Sequence, residues 1–435
     1  MGERGLRTVL IVTYYWPPAG GPGVQRVVRF ARYLPRFGWR PVILTVSDGD
    51  YPARDDSLAT GIPAEVEVIR TPILEPYSVY RRLTGRSGDE QIPTYVLSRR
   101  QNEGVGDRVA RWVRGNLFVP DARIGWIPWA VRAGRRRIAE GDIDLIFSTS
   151  PPHSLQLSAR RLARRSRLPW VADFRDPWTE AFWTDDVTQL PAVRRMEAAM
   201  ERRVLSESDA VVTVSQGLAD RFDARMPNRY AVVQNGCEPL DDPAEPCERF
   251  RVLFIGHLSK HQPPDTVLAA AAGLSETVRK DLELCFVGRI FDGHRESFER
   301  HRDRLDIRVH PYMPHAELMR FARSASVLLR PVAQTSYAAD NVGAKTSEYL
   351  SLRKPILTLG VTGSFSEMLL TETGSGELFD YGDVAGIRDF LVRWHGRWKD
   401  SGVPVLDNLA ALRPYTTEHH VGLLAGLFDD LAAGS

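Results

Sequence analysis

An α/β fold of two Rossmann-like, doubly wound domains facing across a cleft is what this sequence predicts, and three observations predict it. The chain has 435 residues, too many for one ordinary hydrophobic core. Short runs rich in Val and Ile alternate with stretches of helical spacing, the pattern of parallel strands covered by helices. The alternation forms two series, interrupted at 237–249, "CEPLDDPAEPCER", where three prolines and a cluster of acids mark a linker.

The first series places strands at 7–15 ("RTVLIVTYY"), 40–46, 64–72, 143–150 ("IDLIFSTS"), 169–175 ("PWVADFR"), 210–215 and 230–236, with helical spacing at 153–168 and 191–207. The second places them at 251–258 ("RVLFIGHL"), 282–290, 307–313, 327–332, 355–360 and 376–381. The expected organisation is a first domain over 1–240, a linker at 241–249 and a second domain over 250–405. A carboxyl-terminal helix over 406–435 then packs back on the first domain. In open α/β sheets ligands lie beyond the carboxyl ends of the strands, so a cleft between two such domains is the default active site. The stretch 75–125 fits no alternation and reads as an insertion facing an acceptor or a membrane, or as a surface excursion.

Composition narrows the function classes. Hydrophobic content of 43% and charged content of 26% describe a globular protein, and no apolar run approaches the ~20 residues of a membrane span. The amino terminus has no small-residue cleavage site and reads as a first strand rather than a signal peptide. Three cysteines, Cys237, Cys247 and Cys285, have no metal-ligand spacing with the histidines, and such sparse usage fits a reducing cytoplasm. Net charge is only +2, but it is uneven: 97–137 holds ten arginines, and "ARRLARRSR" follows at 159–167. Arg160 with Arg164, and Arg161 with Arg165, share helix faces. This is either a solvated face or a surface for anionic lipid headgroups or a phosphorylated acceptor. Nucleic acid is not expected, because no recognised motif or interleaving of aromatics accompanies the basic runs.

Two stretches carry chemistry. "YYWPPAGGPGVQR" (14–26) follows the first strand and precedes a helix, where backbone N–H groups and a helix N-terminus can hold an anion. It is not a dinucleotide fingerprint, since Arg26 stands where the third small residue belongs, and no G-K-[ST] follows to make a Walker loop. The second stretch is 340–360, "DNVGAKTSEYLSLRKPILTLG". It resembles the nucleotide-sugar motif of retaining glycosyltransferases of family 4, which have the GT-B fold. Asp340 and Glu348, with seven residues between them, match that family's two acids, and Lys354-Pro355-Ile356-Leu357 matches the strand that follows. The segment 14–26 resembles the same family's amino-terminal loop.

The resemblance implies roles. Glu348 accepts hydrogen bonds from the donor ribose hydroxyls, for which two carboxylate oxygens suit. Asp340, where the family has glutamate, touches the transferred sugar. Lys345, three residues before Glu348 and on the same helical face, reaches the donor phosphates. Gly20 and Gly21 leave room for the leaving nucleotide and offer it N–H donors. The family's strand-end Gly-Arg, with a lysine after it, is here "FIGHLSKHQPP": His257 replaces the arginine, Lys260 is a substitute, and Arg289 in "FVGRI" is another cation. Where many members carry a strand-end histidine this chain has Arg175, with Asp173 before it and Asp176 after it. Arg175 and Asp176 are catalytic candidates and Asp173 an acceptor-side one, the alternative being a structural Arg–Asp pair that pins the loop. His153, at another strand end, either orients the acceptor or caps the following helix.

The expected reaction is glycosyl transfer from an NDP-sugar, foremost a UDP-sugar, to a hydroxyl on a lipid-linked or small-molecule acceptor. Retention, no metal ion and no other cofactor are expected, as is peripheral contact with an anionic membrane. A nucleotide-sugar epimerase of the same fold and a catalytically inactive nucleotide-sugar-binding subunit are the alternatives.

Overall fold

The computed structural model describes residues 6–434 except 52–53, 75–111, 114, 181–188, 242–243, 336–337 and 341–342, and describes Pro22, Asp340 and Ala344 in their backbone only. Most of 75–125, and five of the ten arginines of 97–137, therefore lie outside the described residues.

The chain divides into two compact units, Met1–Asn235 with His420–Ser435, and Gly236–His419. The first is built on β1 (Arg7–Val12), β2 (Trp39–Val46), β3 (Glu67–Thr71), β4 (Leu145–Ser150), β5 (Trp170–Phe174), β6 (Ala210–Thr213) and β7 (Tyr230–Val232). All pairings are parallel, in the order β3-β2-β1-β4-β5-β6-β7. Val9 to Val12 pair with β2 on one side and β4 on the other and are fully buried. Burial on both faces is why the sequence shows a continuous apolar run there instead of alternation. Each such side chain contributes roughly 1.5–3 kcal/mol of transfer free energy.

Around this sheet lie α1 (Pro22–Tyr33), α2 (Ile127–Ile138), α3 (Ser154–Ser166), α4 (Pro191–Glu207) and α5 (Gln216–Arg225). Proline in the first two positions of α1, α2 and α4 sacrifices no hydrogen bond, since the first N–H groups of a helix have no intrahelical partner. Ser215 Oγ caps α5 by accepting the Leu218 N–H at 3.3 Å.

The second unit holds β8 (Phe250–Leu258), β9 (Leu282–Ile290), β10 (Ile307–His310), β11 (Val327–Pro331), β12 (Ile356–Leu359) and β13 (Gly376–Phe379). Its order is β10-β9-β8-β11-β12-β13, again all parallel. Its helices are α6 (Asp265–Ala272), α7 (Glu276–Asp281), α8 (Arg295–Glu299), α9 (His315–Ala322), α10 (Ala344–Ser351), α11 (Phe365–Thr373), α12 (Val384–Ser401) and α13 (Leu409–Leu412), and α14 (Thr417–Ala433) ends the chain. Successive residues of a strand face opposite sides. Phe250, Val252 and Phe254 of β8 accordingly enter one core with Phe390 and Trp394 of α12, while Leu253 and Ile255 enter another with Tyr349 and Leu350 of α10.

The boundaries differ from the composition-based ones. The Pro- and acid-rich stretch is fastened to the second unit: Leu240 N–H donates to Ser351 O at 2.9 Å and Glu245 N–H to Arg323 O at 3.0 Å. Proline stops helices and strands but leaves neighbouring N–H groups to bind elsewhere. Residues 406–419 also stay with this unit, where Thr417 N–H donates to Cys237 O at 2.9 Å. From His420 onward α14 packs on the first unit, with Phe428 against Trp39 and Phe147, and Asp429 2.9 Å from Arg7. Among the described residues no helix is long and apolar enough to cross a membrane.

Candidate active site

The strand order of each sheet reverses once, between β1 and β4 in the first and between β8 and β11 in the second. At such a point the loops leaving the two strands diverge and open a crevice at the carboxyl ends. The candidates from the sequence gather at these two places.

In the second unit β8 and β9 end alike, in "FIGH" and "FVGR", with Gly256 opposite Gly288 and His257 opposite Arg289. Both glycines have left-handed backbones, φ +119° and +120°, which side chains disfavour. A β-carbon on Gly288 would fall 2.3 Å from the Gly256 carbonyl oxygen, and one on Gly256 would fall 1.2 Å from Nζ of Lys345. Lys345, in the first turn of α10, thus fills the space that the glycine leaves. Its ammonium donates to Ile255 O at 2.5 Å and stands 5.3 Å from the centre of the Phe254 ring. Tyr349, one turn on, holds α10 in this position: its hydroxyl accepts the Ile255 N–H at 3.0 Å and donates to Leu329 O at 3.1 Å.

Burial pushes Lys345 down to about 8, opposed by Glu348. Desolvation, then the charges of Arg289 and Lys345, hold His257 below its usual value, so the three basic groups are neighbours. Glu348 lies on the Lys345 side of α10, its Oε1 3.9 Å from Nδ1 of His315 at the start of α9. Lys260 is exposed in the turn after β8, and Asp340 ends a 3-10 turn, Ala338–Asp340. Lys354 is fully buried and donates to Pro404 O at 2.9 Å, so the lysine of the matching strand is structural.

Sequence reasoning named the cations but not Gly256 and Gly288, although strand-Gly-cation, repeated at two strand ends, was their signal. It also passed over Arg330, a buried guanidinium near the end of β11 that burial pushes down to about 10 and that donates to Ser366 Oγ at 3.2 Å.

In the first unit the Gly-rich loop opens α1. Gly21 has φ +100°, and a β-carbon there would touch nothing, so its backbone angle and not crowding demands glycine. Gly20 precedes it in the partly exposed turn. Gly23 is different: its β-carbon would fall 2.3 Å from Nη1 of Arg175. Arg175 fastens the end of β5 to the turn after β4, donating from Nε to Ser150 O at 3.1 Å and from Nη2 to Pro151 O at 2.5 Å. Burial lowers its pKa, opposed first by Asp176, and burial raises that of Asp176, opposed by Arg175. Beyond this pair, Glu201 of α4 accepts the Thr179 N–H at 2.9 Å and anchors the far end of the loop.

Asp173 requires a correction. It does not face an acceptor: its side chain is fully buried and takes Nε and Nη2 of Arg26 at 3.0 and 2.7 Å, and the Thr149 hydroxyl at 2.6 Å. The Arg–Asp pair weighed for this loop exists, but its arginine is Arg26 of α1, the residue that breaks the dinucleotide fingerprint. His153 is 8% exposed and lies flat on Trp178, ring centres 4.9 Å apart. It does not cap α3 through its side chain; Asp121 does, accepting the Ser154 N–H at 2.8 Å. Burial pushes His153 down to about 3, so it stays neutral.

Residues 20–236 match the glycosyl transferase 4-like domain and residues 241–391 match the glycosyl transferases group 1 family, together most of the chain. A comparison with curated proteins found no match. Among solved structures, sucrose-phosphate synthase from Thermosynechococcus elongatus is 15% identical over 99% of this chain and 100% of its own, with a TM-score of 0.63. HepE from Anabaena, in complex with UDP and glucose, is 13% identical over 97% and 99%, with a TM-score of 0.58. A TarM variant from S. aureus, in complex with Fondaparinux, alpha-GlcNAc-glycerol and UDP, is 8% identical over 98% and 100%, with a TM-score of 0.60. At these identities the structural likeness shows the fold, and the two family matches give it its chemistry. Two glycosyl transferase domains that follow one another in the chain, each on its own parallel Rossmann-like sheet, make the chain a glycosyltransferase of the GT-B fold.

Proposed function

We propose that the protein moves a glycosyl group from a UDP-sugar to a hydroxyl on a lipid-linked or small-molecule acceptor, with retention and without a metal ion. The observation that carries this reading is the Lys345 ammonium seated in the space of Gly256, beside His257 and Arg289, at the switch point of the second sheet. A departing nucleoside diphosphate gains charge as its bond to the sugar C1 breaks, and fixed cations aimed at its oxygens lower that barrier. Lys345 and Arg289 supply charge, and His257 supplies a hydrogen bond. Glu348 takes the ribose hydroxyls, Asp340 contacts the sugar, and the Gly20–Gly21 turn at α1 offers backbone N–H groups. The leaving phosphate oxygen takes the acceptor proton as the new C1–O bond forms, so no protein base is needed. HepE, solved with UDP and glucose, supports uridine as the nucleotide.

A thermal-shift series tests the donor. UDP and UDP-sugars raise the melting temperature while GDP, ADP and dTDP do not; ligand at 100 times its Kd stabilises by about 2.7 kcal/mol. Transfer then persists in EDTA and is lost in Glu348→Ala with its melting temperature unchanged. If no nucleotide shifts melting, or Glu348→Ala transfers at the full rate, the proposal fails. Sugar isomerisation with donor alone would point instead to an epimerase.

A further inference from the structure

The arginines of the first unit are not spread evenly. Strand order β4-β5-β6 and right-handed crossovers put α3 and α4 on one face of the sheet. There α2 lies tightly beside α3: a β-carbon on Gly134 would fall 2.7 Å from Cδ1 of Leu162. Arg160 of α3 and Glu207 of α4 meet in a bidentate pair, Nε to Oε2 at 2.8 Å. The three helices therefore form one continuous layer.

Its outer surface is almost purely cationic. Arg132, Arg135 and Arg136 of α2 and Arg161, Arg164 and Arg165 of α3 are all exposed. The arginine pairs at 194–195 and 202–203 extend this surface along α4. Glu207 is the one carboxylate these helices expose, since Glu197 and Glu201 are buried. Beyond the end of α2, the nearby acids Glu140 and Asp142 are engaged by buried Arg137. Arg135, Arg136, Arg161 and Arg165 make no hydrogen bond or ion pair with the described residues. In a chain of net charge +2 this is strong segregation. Two large apolar side chains, Leu190 and Met196, are exposed where α4 begins, next to Arg194 and Arg195.

We propose that this three-helix layer docks on anionic lipid headgroups. Charge complementarity argues for a polyanion, and the breadth of a helical layer suits a planar array of phosphates. The exposed leucine and methionine suit shallow insertion, and no helix among the described residues crosses a bilayer, so contact is peripheral. The docking does not depend on the donor assignment, and it names the partner that a lipid-linked acceptor would require.

The test is co-sedimentation of the full chain with vesicles of phosphatidylcholine, alone or with phosphatidylglycerol. The expected result is binding to the anionic vesicles only, weakening steeply as salt rises. Arg135→Gln, Arg136→Gln, Arg161→Gln and Arg165→Gln together reduce partitioning by on the order of 100-fold. Arg302→Gln, Arg304→Gln, Arg320→Gln and Arg388→Gln together, exposed in the second unit, leave it within about twofold. No binding at low salt overturns the proposal, as does equal loss in both variants, which would mean net charge and not the layer. Retention of duplex oligonucleotide in place of vesicles overturns it in favour of nucleic acid. Donor-dependent thermal shifts are read separately, so failure here leaves the transfer reading standing.

Discussion

Replacing Gly256 by alanine places a methyl group 1.2 Å from the Nζ of Lys345, at a backbone φ of +119°. Carbon and nitrogen in contact need roughly 3.5–4.0 Å, so the ammonium must retreat by more than 2 Å or so and give up its bond to Ile255 O. The left-handed backbone costs a further ~1–3 kcal/mol for a residue with a side chain. Losing one positioned group that stabilises developing charge lowers turnover by about 100–1000-fold. Gly256→Ala should therefore fall by on the order of 10–1000-fold in kcat/KM for donor, close to Lys345→Ala, with a melting temperature only a few degrees lower. The assay is steady-state transfer by the wild type, both single variants and the double variant. If the glycine acts by making room for the lysine, the double variant is no slower than the slower single one. The reasoning is refuted if folded Gly256→Ala keeps kcat/KM within about threefold of wild type, or if the two losses multiply.

Further expectations follow from the same contacts. Burial brings Lys345 down to about 8, so donor binding should weaken as pH rises through 8, and Lys345→Arg should remove that alkaline limb; an unchanged profile counts against the lysine. Glu197 of α4 is 7% exposed and burial raises its carboxyl from 4.5 to about 7, with Gln189 opposing. Its folded pKa is raised, so its contribution to stability is whole below 4.5 and is lost as pH rises through 7. Glu197→Gln should thus stabilise the first unit at pH 8 by at most about 3 kcal/mol and little at pH 4, read by urea unfolding at both. Asp173→Ala strands the guanidinium of Arg26, fully buried like its partner, and should cost about 3–5 kcal/mol, whereas replacing both by leucine should recover much of the loss. A loss under about 1 kcal/mol in the single variant would mean that the pair is solvated.

Parts of this molecule are legible from local pattern alone. The buried strands announce themselves because a strand covered on both faces must be apolar at every position, as at Val9 to Val12. Lys345 and Glu348 could be paired on paper because three residues separate neighbours on a helix. Other parts were misread for a common reason. The Pro-rich 237–249 looked free because composition reports which regular structure is impossible, not where backbone donors go. Asp173 looked like a site residue because an acid at a strand end is ambiguous until its partner is known, and that partner lies 147 residues away.

What the sequence by itself determined was the parallel α/β class, the two series of strands and the motif that places a lysine and a glutamate on one helical turn. The first two rest on periodicity and the third on resemblance to a family motif, and both are short-range properties. Tertiary structure alone decided that Gly256 makes room for Lys345, that Gly23 makes room for Arg175, that Arg26 claims Asp173 and that three helices line up their arginines. Each of those depends on which strand lies beside which. Strand order is chosen by the packing of the whole sheet, and no local repeat in the chain records it.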